Sequence, residues 1–191
     1  STTSYLGLVF IAIALQMPGL ALLLLFAHGL ARALQFMSVG SIIATTNCQD
    51  LTELGGLGTR MPATSLAFLV GSAGLVGLVP LGCFWCFGLV IDNLRHLAPG
   101  YAVLFLLTNA LTAANVTRVY RSVFLGPVLP KTKRTPEVNW LMALPMVSLS
   151  VIVVLLPWIM QRIDPVPGIA AFPLPVGVAV AASGLAGVAI G

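Results

Sequence analysis

His28 and Arg32 stand four residues apart inside an almost unbroken apolar stretch, Gly19 to Ile43. An ionisable pair at membrane depth is costly unless it faces protein, water or a counter-charge, and by default it marks an ion or proton path. Residues i and i+4 of a helix lie on one face, one above the other, so both side chains are expected to point into a polar axis inside the protein. Histidine can exchange a proton near neutral pH. Arginine stays protonated; its part would be to set a field that favours a neutral, proton-accepting imidazole. The plainer alternative is a histidine that packs helices by bonding a neighbouring carbonyl. Arg32 one turn away weighs against it.

Other polar residues carry weaker signals. Cys83-Phe84-Trp85-Cys86 is a C-x-x-C, which in a soluble βαβ setting suggests a redox motif. Here it lies in an apolar run without a second ligand pair, and small side chains packed against Phe84 and Trp85 are the better reading. Asp92 and Arg95, three apart at a helix end, read as an interfacial ion pair. Arg118 falls late in a span, where it can snorkel or meet Asp50 or Glu53. Asn109 and Asn115, with Thr108, Thr112 and Thr117, draw a polar seam along the same span. Asp92, Arg95 and Arg118 are accessory candidates for the path. No Walker motif, Rossmann glycine pattern, haem or iron–sulfur spacing, or nucleophile triad is present, so neither cofactor nor metal is expected in this chain.

The elements that must hold these residues are membrane helices. Of 191 residues, 59% are hydrophobic and 7% charged, against about 25% charged in soluble globular proteins. Mean hydropathy is +1.06. The apolar runs are continuous, unlike the alternating segments of a closed barrel. The fold class is therefore all-α, a polytopic helical membrane protein, and at about 20 residues per span five or six spans fit. Net charge is +4, and five of the nine basic residues cluster between Arg118 and Arg134. In a membrane protein that clustering reports topology rather than nucleic acid. Three cysteines (Cys48, Cys83, Cys86) do not suggest a disulfide scaffold.

The apolar runs read as Tyr5–Leu15, Gly19–Ile43, Ala63–Val79, Cys83–Leu94, Tyr101–Phe124, Trp140–Met160 and Val176–Gly191, divided by Pro- and Gly-containing turns. Neither Ala63–Val79 nor Cys83–Leu94 alone comfortably crosses about 30 Å of hydrocarbon. They are two short helices joined by a turn, or one spanning helix broken near Pro80–Gly82. The broken helix is favoured; such breaks are tolerated where the freed backbone is buried in protein or lines water, and they often serve ion sites. Trp140 and Trp158 sit like interfacial belts, and Gln161–Pro175, with four prolines, reads as a loop. The chain begins without Met and ends inside an apolar run, and is expected to be one membrane domain, 1–191, cut from a longer protein. The basic loop 125–139 is expected on the cytoplasmic or stromal side. Loop 44–62, two crossings back, is expected there too, with Gln16–Gly19 and Arg95–Gly100 opposite.

Ser1-Thr2-x-Ser4-x-x-Gly7, then Ala27-His28-x-x-x-Arg32-Ala33-Leu34-x-Phe36 and Gly40-Ser41, resemble the antiporter-like proton-channel subunits of respiratory complex I. Gln49-Asp50, Gly55-Gly56-Leu57 and Met61-Pro62 look like that family's loop before its second broken helix. Pro80-x-x-x-Phe84-Trp85 looks like the break, and Leu111-Thr112-Ala113 with Arg118 like the helix that follows. The match is strong from Ser1 to Phe124, weaker beyond, and nearest to the distal, largest antiporter-like subunit. The resemblance implies the second half of a larger helical subunit, in which redox energy from elsewhere in a type-I NAD(P)H or ferredoxin:(plasto)quinone oxidoreductase drives protons along a central axis. It makes His28 the axis residue, with Arg32 where the family usually has lysine. Other membrane-arm subunits and the lipid bilayer are the implied partners.

Two departures follow from the same resemblance. Phe87 stands where the family has an exit lysine, and the second histidine usual near Ala44 is missing. A neutral aromatic cannot exchange a proton, so the exit uses another route, for example water beside Asp92, or conduction is altered. These departures look like the cyanobacterial variant of the photosynthetic complex specialised for CO2 uptake, which works with a peripheral carbonic-anhydrase-like partner. That favours the cyanobacterial thylakoid membrane, with a bacterial inner or organelle membrane otherwise. The alternatives are a gas-conducting, docking subunit for a CO2-hydrating partner, a standalone cation/proton antiporter, and a structural subunit with a dead channel.

Overall fold

Prolines and glycines cut the apolar chain into helices. Pro18, Pro62 and Pro99 each sit in the first turn of one, where a missing N–H costs nothing. The structure, a computed structural model, describes residues 2–79, 81–130, 132–133, 135–163 and 174–191. Among them lie α1 (Thr2–Ala14), α2 (Pro18–Thr46), α3 (Pro62–Val76), α4 (Gly82–Leu97), α5 (Pro99–Tyr120), α6 (Trp140–Ile163) and α7 (Leu174–Ile190). Short 3-10 turns at Leu51–Glu53 and Leu57–Thr59 punctuate the first loop, and a π turn, Arg121–Leu125, closes α5. No strand occurs among the described residues. α2, α5 with its π turn, and α6 are each long and apolar enough to cross a membrane.

The interruption between α3 and α4 starts earlier than the prolines suggest. Gly77 takes φ +68° and donates to the Gly74 carbonyl at 3.3 Å, while the Leu78 N–H returns to Ala73 O at 2.9 Å. This paired arrangement around a left-handed glycine ends helices by satisfying their last carbonyls. α3 therefore stops at Val76, three residues short of the expected Val79. Gly82 opens α4; Pro80 lies outside the described residues, as do Lys131 and Arg134 of the basic loop and residues 164–173. With 15 and 16 residues, α3 and α4 reach about 22 and 24 Å at 1.5 Å per residue, and neither crosses a membrane alone.

α4 sits at the centre of the bundle. Cys83, Phe84, Cys86, Phe87, Val90 and Leu94 are all buried, against α2, α3, α5, α6 and α7. Burial in protein is the condition under which broken helices survive in lipid. Both C-x-x-C cysteines are free thiols packed in this core. Small residues set the closest approaches. A Cβ on Gly71 would come within 3.0 Å of Ala31 O, and one on Gly187 would collide with Ala110 O and Ala113 Cβ. These small-on-small contacts bring α3 onto α2 and α7 onto α5, the usual way membrane helices pack.

At one end the two loops interlock. Side chains on Gly55 or Gly56 would strike the backbone of Pro127 and the Val128 side chain. The Thr132 hydroxyl donates to Gly55 O at 2.7 Å, and the Arg60 guanidinium donates to Lys133 O. The Glu137 carboxylate accepts from the Ala63 N–H at 3.1 Å and from the Thr64 hydroxyl at 3.0 Å. It thereby caps α3, whose first N–H groups have no partner within the helix, with a negative charge at the favourable end of the helix dipole.

Candidate functional site

α2 presents two kinds of polar group on one face. His28 is buried at 6% exposure, and neither imidazole nitrogen has a hydrogen-bond partner among the described residues. Its ring lies tilted against Tyr5 of α1, with centroids 4.5 Å apart. Buried polar groups are nearly always hydrogen-bonded, and an exception calls for a functional explanation or a mobile partner. One turn further on, Arg32 is well held. Its Nε donates to the Thr2 hydroxyl at 3.2 Å, its Nη1 donates to Gln35 Oε1 at 2.8 Å, and its guanidinium lies over the Phe36 ring. Gln35 Nε2 in turn donates to the Ser72 hydroxyl of α3 at 3.0 Å. The pair shares a helix face but not an environment.

Arg32 and Gln35 open onto a cavity of about 210 Å³ that Asn115 of α5 also lines. On the other side of His28 the groups turn aromatic. The Tyr5 ring stacks on Phe87 of α4 at 5.6 Å, and Phe87 meets Phe105 of α5 edge-on at 5.0 Å. Phe87 is fully buried, and Gly77 makes room for it, since a Cβ there would sit 2.7 Å from the ring. The Phe87 ring therefore packs against the Gly77 turn that separates α3 from α4.

The accessory candidates stand apart. Asp92 and Arg95 form an ion pair at 2.8 Å with both side chains partly exposed, as their spacing predicts. Arg118 is exposed near the end of α5, beside Arg121. None of the three bonds His28. Tyr5, Gln35, Ser72 and Ser183 are functional candidates that the sequence reading passed over. Gln35 had a signal: it lies seven residues from His28 and three from Arg32, on the same helix face. Tyr5 and Ser183 had none, because their partners lie 104 and 74 residues away.

Residues 1–112 match a family model described as NADH:quinone oxidoreductase/Mrp antiporter, transmembrane. The chain belongs to this family. It is 64% identical over 191 residues to NAD(P)H-quinone oxidoreductase subunit 5, organellar chromatophore 2, of Paulinella chromatophora, covering 100% of this chain and 31% of that protein. The chloroplastic NAD(P)H-quinone oxidoreductase subunit 5 of Citrus sinensis is 34% identical over 136 residues, 66% of this chain and 18% of its own length. NADH-ubiquinone oxidoreductase chain 5 of Sus scrofa is 37% identical over 129 residues, 66% of this chain and 21% of its own. The chain spans less than a third of the length of each of these relatives. As a member of the NADH:quinone oxidoreductase/Mrp antiporter family it is a helical integral membrane protein. The matched region holds α1 to α4 and the first half of α5, and with them His28, Arg32 and Phe87.

Proposed function

We propose that this chain is part of the distal antiporter-like membrane subunit of an NAD(P)H- or ferredoxin-driven quinone oxidoreductase, and that it couples electron transfer to proton movement. The observation that carries this reading is the buried imidazole of His28. It has no bond to hold it in one protonation state, and it stands one turn from a guanidinium held by Thr2 and Gln35. A group placed so can take up and release a proton, while Arg32 stays charged and shapes the field around it. Other membrane subunits of the same complex would cover the exposed faces of α1, α5 and α6. The interlocked loops 44–62 and 125–139 would face the cytoplasm or stroma, as the basic residues among them require. The test is His28→Ala in the intact complex. Coupled proton translocation is expected to fall while the complex still assembles; normal translocation would overturn the reading.

A second reading is favoured by the phenyl ring at position 87 and by an apolar cavity of about 250 Å³ between α3, α5 and α7, lined in part by Leu69, Ala73, Val76, Val116 and Val188. In it the subunit sits in a thylakoid membrane, delivers CO2 to a peripheral carbonic-anhydrase-like partner and removes the protons that hydration releases. Filling the cavity with Ala73→Phe should then lower CO2 uptake more than electron transfer. Equal losses of both would sink it.

A further inference from the structure

Arg118 and Arg121 stand three residues apart at the end of α5, on one helix face. Both are exposed, and neither forms an ion pair among the described residues. Arg121 Nη1 donates to Gly191 O of α7 at 3.0 Å, the one side-chain hydrogen bond that either guanidinium makes there. Like charges so placed repel each other. With Ser122 and Gly126 they line an open recess of about 560 Å³. Gly126 folds closely over the π turn, where a Cβ would come within 2.5 Å of Ser122 O. Tyr101 and Arg121, exposed near opposite ends of α5, are about 20 residues and so about 30 Å apart, one hydrocarbon thickness. Trp140, exposed at the start of α6, marks the same membrane boundary, since loop 126–139 joins it to the end of α5. Leu111, Leu107 and Leu104 continue the Arg118 face toward the middle of the span at helical spacing, and all three are more than half exposed.

We propose that Arg118, Arg121 and the Ser122 hydroxyl hold the phosphate of an anionic membrane lipid, whose chains lie along Leu111, Leu107 and Leu104. A guanidinium fork donates two parallel hydrogen bonds to phosphate oxygens. An anion seated between two such forks turns their mutual repulsion into two attractions, and the negative potential of an anionic leaflet draws in the same direction. A lipid fits better than free phosphate because charge and apolar track share one face: a free ion would leave the leucines uncovered. The site is independent of the role of His28.

The experiment uses the whole complex in phosphatidylcholine vesicles that contain a trace of phosphatidylglycerol with a photoactivatable group in its acyl chain. Adducts are mapped by mass spectrometry to segment 104–126. In the native complex the labelled phosphatidylglycerol should mark this segment several-fold more than equally labelled phosphatidylcholine. Arg118→Gln with Arg121→Gln should abolish that preference at unchanged assembly and denaturation temperature. Arg162→Gln, in the last turn of α6, should leave it intact. Arg118→Lys with Arg121→Lys keeps the charges and loses the forks; it serves if the glutamine pair does not assemble, and should lower the preference by a smaller factor. Unlabelled phosphatidylglycerol should compete the label away, and inorganic phosphate should not. Equal marking by the two lipids in the native complex would overturn the site. A preference left whole in whichever arginine pair assembles would overturn the part given to these residues, and displacement by inorganic phosphate would overturn the choice of a lipid.

Discussion

The polar strip at Arg32 and the aromatic column at His28 are neighbours on α2, yet they solve opposite problems. Around Arg32 the charge is permanent, and side chains from α1, α2 and α3 gather to satisfy it: Thr2, Gln35 and, through Gln35, Ser72. Beside His28 lies the ring of Tyr5, which stacks in turn on Phe87, and the imidazole is left with both nitrogens unbonded. A charge that cannot leave must be held, because an ion at membrane depth is costly without polar partners. A group that must gain and lose a proton is better left unheld, since every bond to one protonation state would favour that state. On the proposed reading, the difference separates the residue that would set the field from the residue that would respond to it.

Four substitutions break or sharpen this contrast, in falling order of expected effect on stability. Phe87→Lys puts an ammonium into the ring column, which offers it no acceptor. It should cost about 3 kcal/mol or more and be read as lost assembly or a much lower denaturation temperature of the solubilised complex. Assembly at unchanged stability would show that the column is not apolar. Gln35→Leu removes the acceptor of the Arg32 Nη1 and strands Ser72, at about 2 kcal/mol; Gln35→Glu, which restores an acceptor for the guanidinium, should recover most of the loss in the same melting assay.

Gly77→Ala forces a Cβ against the Phe87 ring at a left-handed φ, costing about 1–2 kcal/mol. Adding Phe87→Leu should relieve the steric part, and a double-mutant cycle on denaturation temperature measures the coupling. The smallest change is expected from His28→Leu. Replacing an unbonded buried polar group with an apolar one of similar size is close to neutral, within about 1 kcal/mol, or stabilising. That variant should melt like the parent while its proton translocation is lost; a large destabilisation would mean that His28 is a packing residue.

Much of this architecture was legible in the chain. Pro18, Pro62 and Pro99 mark helix starts because an N–H is dispensable only there, and the observed helices begin within two residues of the expected runs for α2, α3 and α5. The Asp92–Arg95 pair followed from its i, i+3 spacing. Pro80 places the end of α3 near Val79, whereas Gly77 ends the helix through its positive φ, a property of conformation that residue type only permits. The expectation that His28 and Arg32 would share one polar axis reflected helix geometry, which fixes a common face but not what packs against it. Tyr5 supplies an aromatic neighbour to one and Gln35 an amide to the other. Likewise Asn109 was recognised as part of a seam, but its hydrogen bond to Tyr5 joins residues 104 apart and has no local signature.

The carboxylate of Glu137 bears on how the chain is made. The opening turn of α3 at Ala63 takes its acceptor from a residue 74 positions later. A ribosome feeding this chain into the bilayer must therefore release α3, the broken segment, α5 and the basic connection before the start of α3 finds its anchor. This end of the bundle is buttoned only once residue 137 has been made. Until then α3 and α4, each too short to span alone, depend on α2 and on one another to stay in the membrane.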